Sequence, residues 1–137
     1  LSEERLSSHA RRLRELPLVR VVGSGATRFN ILHAEFFGSD DELDAAVFSD
    51  HVRQRMLWGR VLALGNGDPA RQAGLSITYC GHTPMREMGR IGAQVFVDTG
   101  AFAVTGKLTI TEALTPRTWS VSLDTALAEG AAQLALP

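Results

Sequence analysis

Two histidines in this chain stand next to apolar runs, in positions that suit metal binding. His33 follows the apolar pair Ile31-Leu32, and His82 lies in the polar turn Gly81-His82-Thr83-Pro84. A neutral imidazole binds Mn, Fe or Zn through one ring nitrogen while an acceptor holds the other, and the end of a strand fixes that geometry well. Because catalytic divalent ions usually have three or more protein ligands, the two histidines predict about half of a metal site.

The alternative for each histidine is a structural role. Taken singly, a histidine at a strand end more often makes a structural hydrogen bond than binds a metal. His82 differs because Gly81 lets the backbone approach closely and Pro84 stiffens the turn. His9 and His51 lie in predicted helices without such neighbours, and we expect both on the surface.

Composition limits the classes of protein that the chain can belong to. A length of 137 residues with 45% hydrophobic residues fits one modest domain. The formal charge of −1 gives no reason to expect nucleic acid or an anionic membrane as a partner. Cys80, the single cysteine, is expected to be a small buried hydrophobic residue, and no stretch reads as a signal peptide or membrane span. We therefore expect a cytoplasmic location, and the start at Leu1 rather than Met suggests an upstream segment.

Capping residues and apolar periodicity predict three helices before the midpoint of the chain. The first begins at Ser2 and stops before Leu16-Pro17, and the second begins at Ser39 with capping-box spacing. The third begins at Ser49 or Asp50 and runs to Trp58, where Gly59 ends it. The stretch from Gly65 to Pro69 is predicted to be a loop.

Five strands are predicted from β-rich runs, at residues 18–22, 26–33, 75–79, 93–98 and 107–112. Gly23-Ser24-Gly25 suits a hairpin between the first two. On the second strand Phe29, Ile31 and His33 share one face by the period of two, so His33 continues an apolar face to the strand end. Residues 1–113 are expected to form the main domain. Residues 114–137 are expected to form an arm, β-like from Thr118 to Ser122 and helical from Asp124 to Leu136.

Several motifs in order resemble a known family. They are Leu16-Pro17-Leu18-Val19, Leu32-His33-Ala34-Glu35, Leu57-Trp58-Gly59-Arg60, Tyr79-Cys80-Gly81-His82-Thr83-Pro84, Val97-Asp98-Thr99-Gly100-Ala101 and Gly106-Lys107-Leu108-Thr109. Together they resemble the C-terminal half of the calcineurin-like metallophosphoesterases. The chain is most similar to the bacterial and phage lambda-type serine/threonine protein phosphatases. The resemblance covers residues 16 to 112.

The resemblance implies roles for particular residues. It places His33 and His82 on the same metal of a two-metal centre, with Mn²⁺ first and Fe or Zn as other options. It places Arg60 beside the substrate phosphate, where a planar guanidinium can bind two phosphate oxygens at once. The implied reaction is hydrolysis of a phosphomonoester on a phosphoprotein by direct attack of metal-bound hydroxide. The turn at Asp98 is interpreted as a structural bend.

The motifs that the chain lacks matter equally. The family's N-terminal half carries an Asp-x-His segment, a Gly-Asp-x-x-Asp-Arg-Gly segment and a Gly-Asn-His-Glu segment, and this sequence contains none of them. A dinuclear centre would therefore need that half, and we expect the chain alone to be inactive. The implied fold is α+β, half of a four-layer αββα sandwich, with mostly one sheet. Its exposed apolar surface would bind the missing half or a second copy.

Two further functions remain open. The chain could be a non-catalytic relic of a phosphatase half that acts as a binding or self-associating module. It could also keep the hydrolytic chemistry and act on dinucleoside polyphosphates. The amino-acid sequences of the Gly-His-Thr-Pro and Asp-Thr-Gly-Ala segments favour a protein phosphatase over that second alternative.

Overall fold

The computed structural model describes residues 2–134, and side chains within residues 2–128. In that part of the chain the fold is α+β, with four α-helices and seven strands. The helices are α1 (Glu3–Arg14), α2 (Asp40–Ala45), α3 (Asp50–Trp58) and α4 (Leu123–Leu134). The strands are β1 (Val19–Val22), β2 (Phe29–Leu32), β3 (Thr78–Cys80), β4 (Gly89–Ile91), β5 (Gln94–Phe96), β6 (Lys107–Thr111) and β7 (Thr118–Ser122). Across residues 2–134, no helix has the length and apolarity needed to cross a bilayer.

Serine hydroxyls set the helix starts. The side chains of Ser2, Ser39 and Ser49 each accept a hydrogen bond from the backbone three residues later. The sequence predicted the first two caps, and the structure selects Ser49 over Asp50 for the third helix. The fourth helix begins at Leu123, one residue earlier than expected. Its start is set by Ser122, whose Oγ accepts from the backbone N–H of Thr125. The predicted helix end at Leu136 lies outside the described residues.

Five strands form a mixed sheet in the order β1-β2-β3-β5-β4. The three central strands, β2, β3 and β5, run parallel, and β1 and β4 flank them antiparallel. Because parallel strands place their carboxyl ends at one edge of the sheet, the residues that follow β2, β3 and β5 meet there. The sequence did not predict β4, which has three residues and leads into the turn at Gly92.

The core lies on the sheet face opposite to the one that the apolar pattern suggested. Helices α2 and α3 contribute Leu43 and Met56 to a cluster with the sheet residues Leu32, Cys80 and Phe96. Fully buried polar residues, Asn30, Thr78 and Gln94, share this face. Ile31 points the other way and is 45% exposed, so the face that it shares with Phe29 is not the helix-packed one. Because polar residues occupy part of the core face, the alternation of apolar residues along the strand did not indicate it.

Strands β6 and β7 form a separate antiparallel ribbon beside that second face. Thr99 Oγ1 donates to the carbonyl oxygen of Lys107 at 2.7 Å, and the backbone N–H of Leu114 donates to the Tyr79 hydroxyl at 2.7 Å. Cavities of about 410 and 230 Å³ lie along this side, both lined in part by Tyr79. The division expected between residues 113 and 114 falls in the turn that joins the two paired strands.

The loop predicted from Gly65 to Pro69 leads into a short 3₁₀ turn, Pro69–Gln72, which Asp68 caps. Gln72 at its end is buried. Its Nε2 donates to the carbonyl oxygen of Phe36, and its Oε1 accepts from the backbone N–H of Ala93. The far end of this loop is therefore hydrogen-bonded to the segment after β2 and to the turn between β4 and β5.

Candidate metal centre

The structure brings His33 and His82 together at the carboxyl edge of the sheet. His33 directly follows β2, His82 follows β3 by one residue, and these strands are parallel neighbours. The His33 Nε2 and His82 Nδ1 atoms are 3.0 Å apart, and the ring centroids are 4.8 Å apart. Two nitrogens bound at right angles to one ion at about 2.1 Å lie about 3 Å apart. The two rings therefore have the spacing of neighbouring ligands, and the two nitrogens lie within hydrogen-bond distance of each other.

The backbone at His82 is strained. Its φ is +65°, and the backbone N–H of Thr83 donates to the carbonyl oxygen of Gly81 at 2.7 Å. A bond between residues i and i+2 around a residue of positive φ is the rare and strained form of the γ-turn. Strain of this kind in a non-glycine residue persists only where surrounding contacts impose it, and it concentrates at functional sites.

Backbone hydrogen bonds hold the turn around His82 at both ends. The N–H of Gly81 donates to the carbonyl oxygen of His33 at 2.9 Å, and the N–H of Met85 donates to that of Asp98 at 2.9 Å. The carboxylate Oδ1 of Asp98 accepts from the N–H of Gly100, which forms the bend expected from the sequence. Three strand ends thus fix the position of one imidazole.

The pKa of His82 is lowered. Burial of the ring is the largest cause, followed by the positive charges of Arg60 and His33. These effects outweigh Asp98 and the backbone of Trp58, which act in the opposite direction. His82 therefore favours the neutral form, which is the one that binds metals. Its Nε2 is buried and makes no hydrogen bond of standard geometry to any described residue.

Arg60 lies in the turn after α3, and its side chain is exposed. Its positive charge contributes to the lowered pKa of His82, and Trp58, two residues earlier, contacts the His82 ring, so the third sequence-predicted site residue lies near the same edge. Within residues 2–128, Arg60 makes no salt bridge. An exposed guanidinium without an acidic partner is available to bind an anion.

Sequence reasoning missed two residues next to the site. Trp58 packs edge-on against the ring of His82, with centroids 5.6 Å apart, yet remains 64% exposed. Glu35 is fully buried and accepts hydrogen bonds from the segment that carries Trp58 and Arg60. Both residues stand inside the quoted motifs, in Leu57-Trp58-Gly59-Arg60 and Leu32-His33-Ala34-Glu35. Their position beside the predicted ligands was the available signal.

The donor set supports part of a metal site. Within the described residues, no group of three or more His, Cys, Asp or Glu side chains could hold a metal ion. His9 and His51 are exposed on α1 and α3. Cys80 is buried, and burial raises the pKa of its thiol to about 12, so it stays protonated. Two imidazole nitrogens at ligand spacing fit a divalent cation, and further ligands would have to come from outside this set.

Comparison with known proteins adds no family assignment. No protein-family model matches the chain, and no match is found among curated proteins.

Proposed function

We propose that this chain is part of a metal-dependent phosphatase that hydrolyses phosphomonoesters of the serine/threonine phosphoprotein type. The observation that carries the proposal is the approach of His33 Nε2 and His82 Nδ1 to 3.0 Å at one sheet edge. The strained backbone of His82 and the neighbouring charge of Arg60 support it independently. We also propose that the α+β fold is the C-terminal half of a metallophosphatase sandwich.

The side chains would divide the work as follows. His33 and His82 would hold one divalent cation, Mn²⁺ in preference to Fe or Zn. When bound, such an ion supplies Lewis acidity and lowers the pKa of water. Arg60 would bind two oxygens of the substrate phosphate and balance the charge that develops on them. Trp58 packs edge-on against one side of the His82 ring and would help to hold its orientation.

Metal binding tests the central point of the proposal. Mn²⁺ titrated into the purified chain and followed by electron paramagnetic resonance should bind in a 1:1 ratio. His33→Ala and His82→Ala should each weaken binding at least about tenfold. His51→Ala, a change in an exposed histidine on α3, is the matched control and should leave binding unchanged. Equal affinity in all four proteins would contradict the proposal.

Catalysis needs a separate assay because the described residues supply only part of a donor set. With Mn²⁺ and p-nitrophenyl phosphate, the chain alone should show negligible turnover. A longer form that carries the missing ligands should be active, and His82→Ala should abolish that activity. Hydrolysis of a dinucleoside polyphosphate in preference to a phosphopeptide would move the proposal to that substrate class.

A second candidate is a non-catalytic binding module. An apolar stripe on the outer face of the β6–β7 ribbon favours it, with Leu108, Ile110 and Trp119 each more than half exposed. We propose that either the missing half or a second copy of the chain covers this stripe. We also propose that the protein acts in the cytoplasm. Light scattering after size-exclusion chromatography should show a species larger than a monomer, which Ile110→Lys converts to a monomer. A monomeric unaltered chain would argue against a second copy.

A further inference from the structure

We infer that Glu35 is a positioning residue that holds Arg60 at the phosphate side of the site. The inference rests on the proposed function, since it assigns a purpose to the placement of Arg60. Glu35 lies two residues after His33 and is completely buried. Burying a carboxylate costs free energy unless charged or hydrogen-bonding partners compensate for the lost water. The partners of Glu35 therefore identify the part of the chain that it stabilises.

Both carboxylate oxygens of Glu35 are directed to the segment around Arg60. Oε1 accepts from Arg55 Nη1 at 3.0 Å, and Oε2 accepts from the backbone N–H of Leu62 at 2.7 Å. Arg55 lies in the last turn of α3, and Leu62 lies two residues beyond Arg60. One side chain therefore binds the chain on both sides of Arg60, with charge-assisted hydrogen bonds.

The backbone of Gly59 packs directly on the Glu35 side chain. A Cβ atom at Gly59 would collide with Glu35 Cγ and Oε1, and also with the backbone carbonyl oxygen of Arg55. The φ of Gly59 is −66°, so glycine is needed here for space and not for conformational freedom. The residue immediately before Arg60 is thus held against the same carboxylate.

Further bonds make the arrangement rigid. The backbone N–H of Ala34, next to Glu35, donates to the carbonyl oxygen of Met56 at 2.9 Å, and the N–H of Leu64 donates to that of Arg60 at 3.0 Å. Leu62 is fully buried. The segment that presents Arg60 is consequently tied to the residues that follow His33, so the guanidinium and the imidazoles share one support.

Glu35→Gln tests this role because it keeps the shape and removes the charge. In the Mn²⁺-loaded chain, Glu35→Gln should weaken the binding of inorganic phosphate about tenfold, because the segment that presents Arg60 loses its charge-assisted hydrogen bond to Glu35. Arg60→Ala should weaken phosphate binding to a similar extent, because it removes the guanidinium itself. Mn²⁺ affinity should change less than about twofold, since the hydrogen bonds of His33 and His82 are untouched. The double variant should bind phosphate no more weakly than Arg60→Ala alone. Glu42→Gln, at an exposed glutamate on α2, is the matched control.

Gly59→Ala provides a second variant that leaves all charges in place, and it should mimic Glu35→Gln. Equal loss of Mn²⁺ and phosphate affinity would overturn the inference, because Glu35 would then support the whole sheet edge. Unchanged phosphate binding in Glu35→Gln, with a loss in Arg60→Ala, would also overturn it.

A readout without ligands separates this inference from the proposed function. Glu35→Gln should speed hydrogen exchange of the Leu62 amide and lower the backbone order parameter of Arg60. If neither changes, Glu35 does not hold the segment, whatever the chain binds. If both change but the unaltered chain binds no Mn²⁺, Glu35 does hold the segment around Arg60 and the phosphatase proposal fails.

Discussion

Two polar clusters on the same sheet differ in how their groups are paired. Away from the site edge, Arg28 bridges Asp40 and Asp44, and Asp40 also accepts from Asn30 and from Ser76. Every charge in that cluster faces an opposite charge. At the carboxyl edge, His82 has a strained backbone and lies next to the exposed guanidinium of Arg60, which makes no salt bridge to any described residue.

The difference indicates which cluster maintains the fold and which can accept a ligand. The Asp40 cluster joins the start of α2 to the residues around β2 and β3, and internal partners satisfy its charges. The ring nitrogens of His33 and His82 converge at the other edge, beside the positive charge of Arg60. Burial of polar groups alone therefore does not distinguish the two clusters, whereas the pairing of their charges does.

Removing Asp40 should produce the largest effect on stability. Asp40→Ala leaves the backbone N–H and hydroxyl of Ser76 and the amide of Asn30 without their acceptor. The free energy of unfolding should fall by about 3 kcal/mol in urea titration. Asp41→Ala, at the exposed neighbouring position, should change it by less than about 1 kcal/mol. Similar values for both variants would remove the distinction between the clusters.

Removing His82 should affect Mn²⁺ binding and not the fold. His82→Gly deletes one nitrogen of the pair and places glycine at a φ of +65°. Mn²⁺ affinity should fall at least about tenfold by electron paramagnetic resonance. The free energy of unfolding should stay level or rise by up to about 1 kcal/mol, because glycine adopts positive φ without strain. A large loss of stability would make His82 a structural residue.

The two clusters should respond to acid in different ranges. Burial alone would raise the pKa of Asp40, but hydrogen bonds from Ser76 and Asn30 and the charge of Arg28 outweigh it and lower the pKa. Ionised Asp40 therefore stabilises the fold above about pH 4, and the contribution disappears as pH falls through the lowered pKa.

The lowered pKa of His82 gives the second range. The unfolded chain takes up the proton first, so stability should decline as pH falls below about 6.5. Urea unfolding from pH 3 to 8 should therefore show two steps. His82→Ala should remove the upper step and leave the lower one. Asp40→Asn should reduce the lower step, to which Asp44 and Glu87 also contribute through their lowered pKa values, and leave the upper one. A single step that both variants share would show that the clusters are coupled.

Local sequence signals predicted most helices and strands. The packing of the sheet was harder to predict, because it depends on contacts between residues far apart in the sequence. The serine caps placed α1, α2 and α3 because a cap depends on residues three positions apart. The apolar face of β2 is not the helix-packed one, because Asn30, Thr78 and Gln94 are buried on the opposite face, with partners distant in sequence. A pattern of hydrophobicity cannot show such partners.

For the candidate site as well, the sequence indicated some residues and not the contacts between distant segments. The sequence nominated His33, His82 and Arg60 from their motifs, and the structure places them at one sheet edge. It did not indicate the roles of Glu35 and Trp58. Their contacts depend on how α3 returns to the end of β2, which no local spacing encodes.

The parallel pairing of β2 with β3 has a consequence for the order of assembly. These strands are separated by the two helices α2 and α3 and a long loop, so their pairing closes a large segment of chain and forms slowly compared with local turns. Neither imidazole can meet the other until that closure is complete. An ion held by both would thus be captured only by molecules in which this pairing had formed, so its uptake would report on that closure.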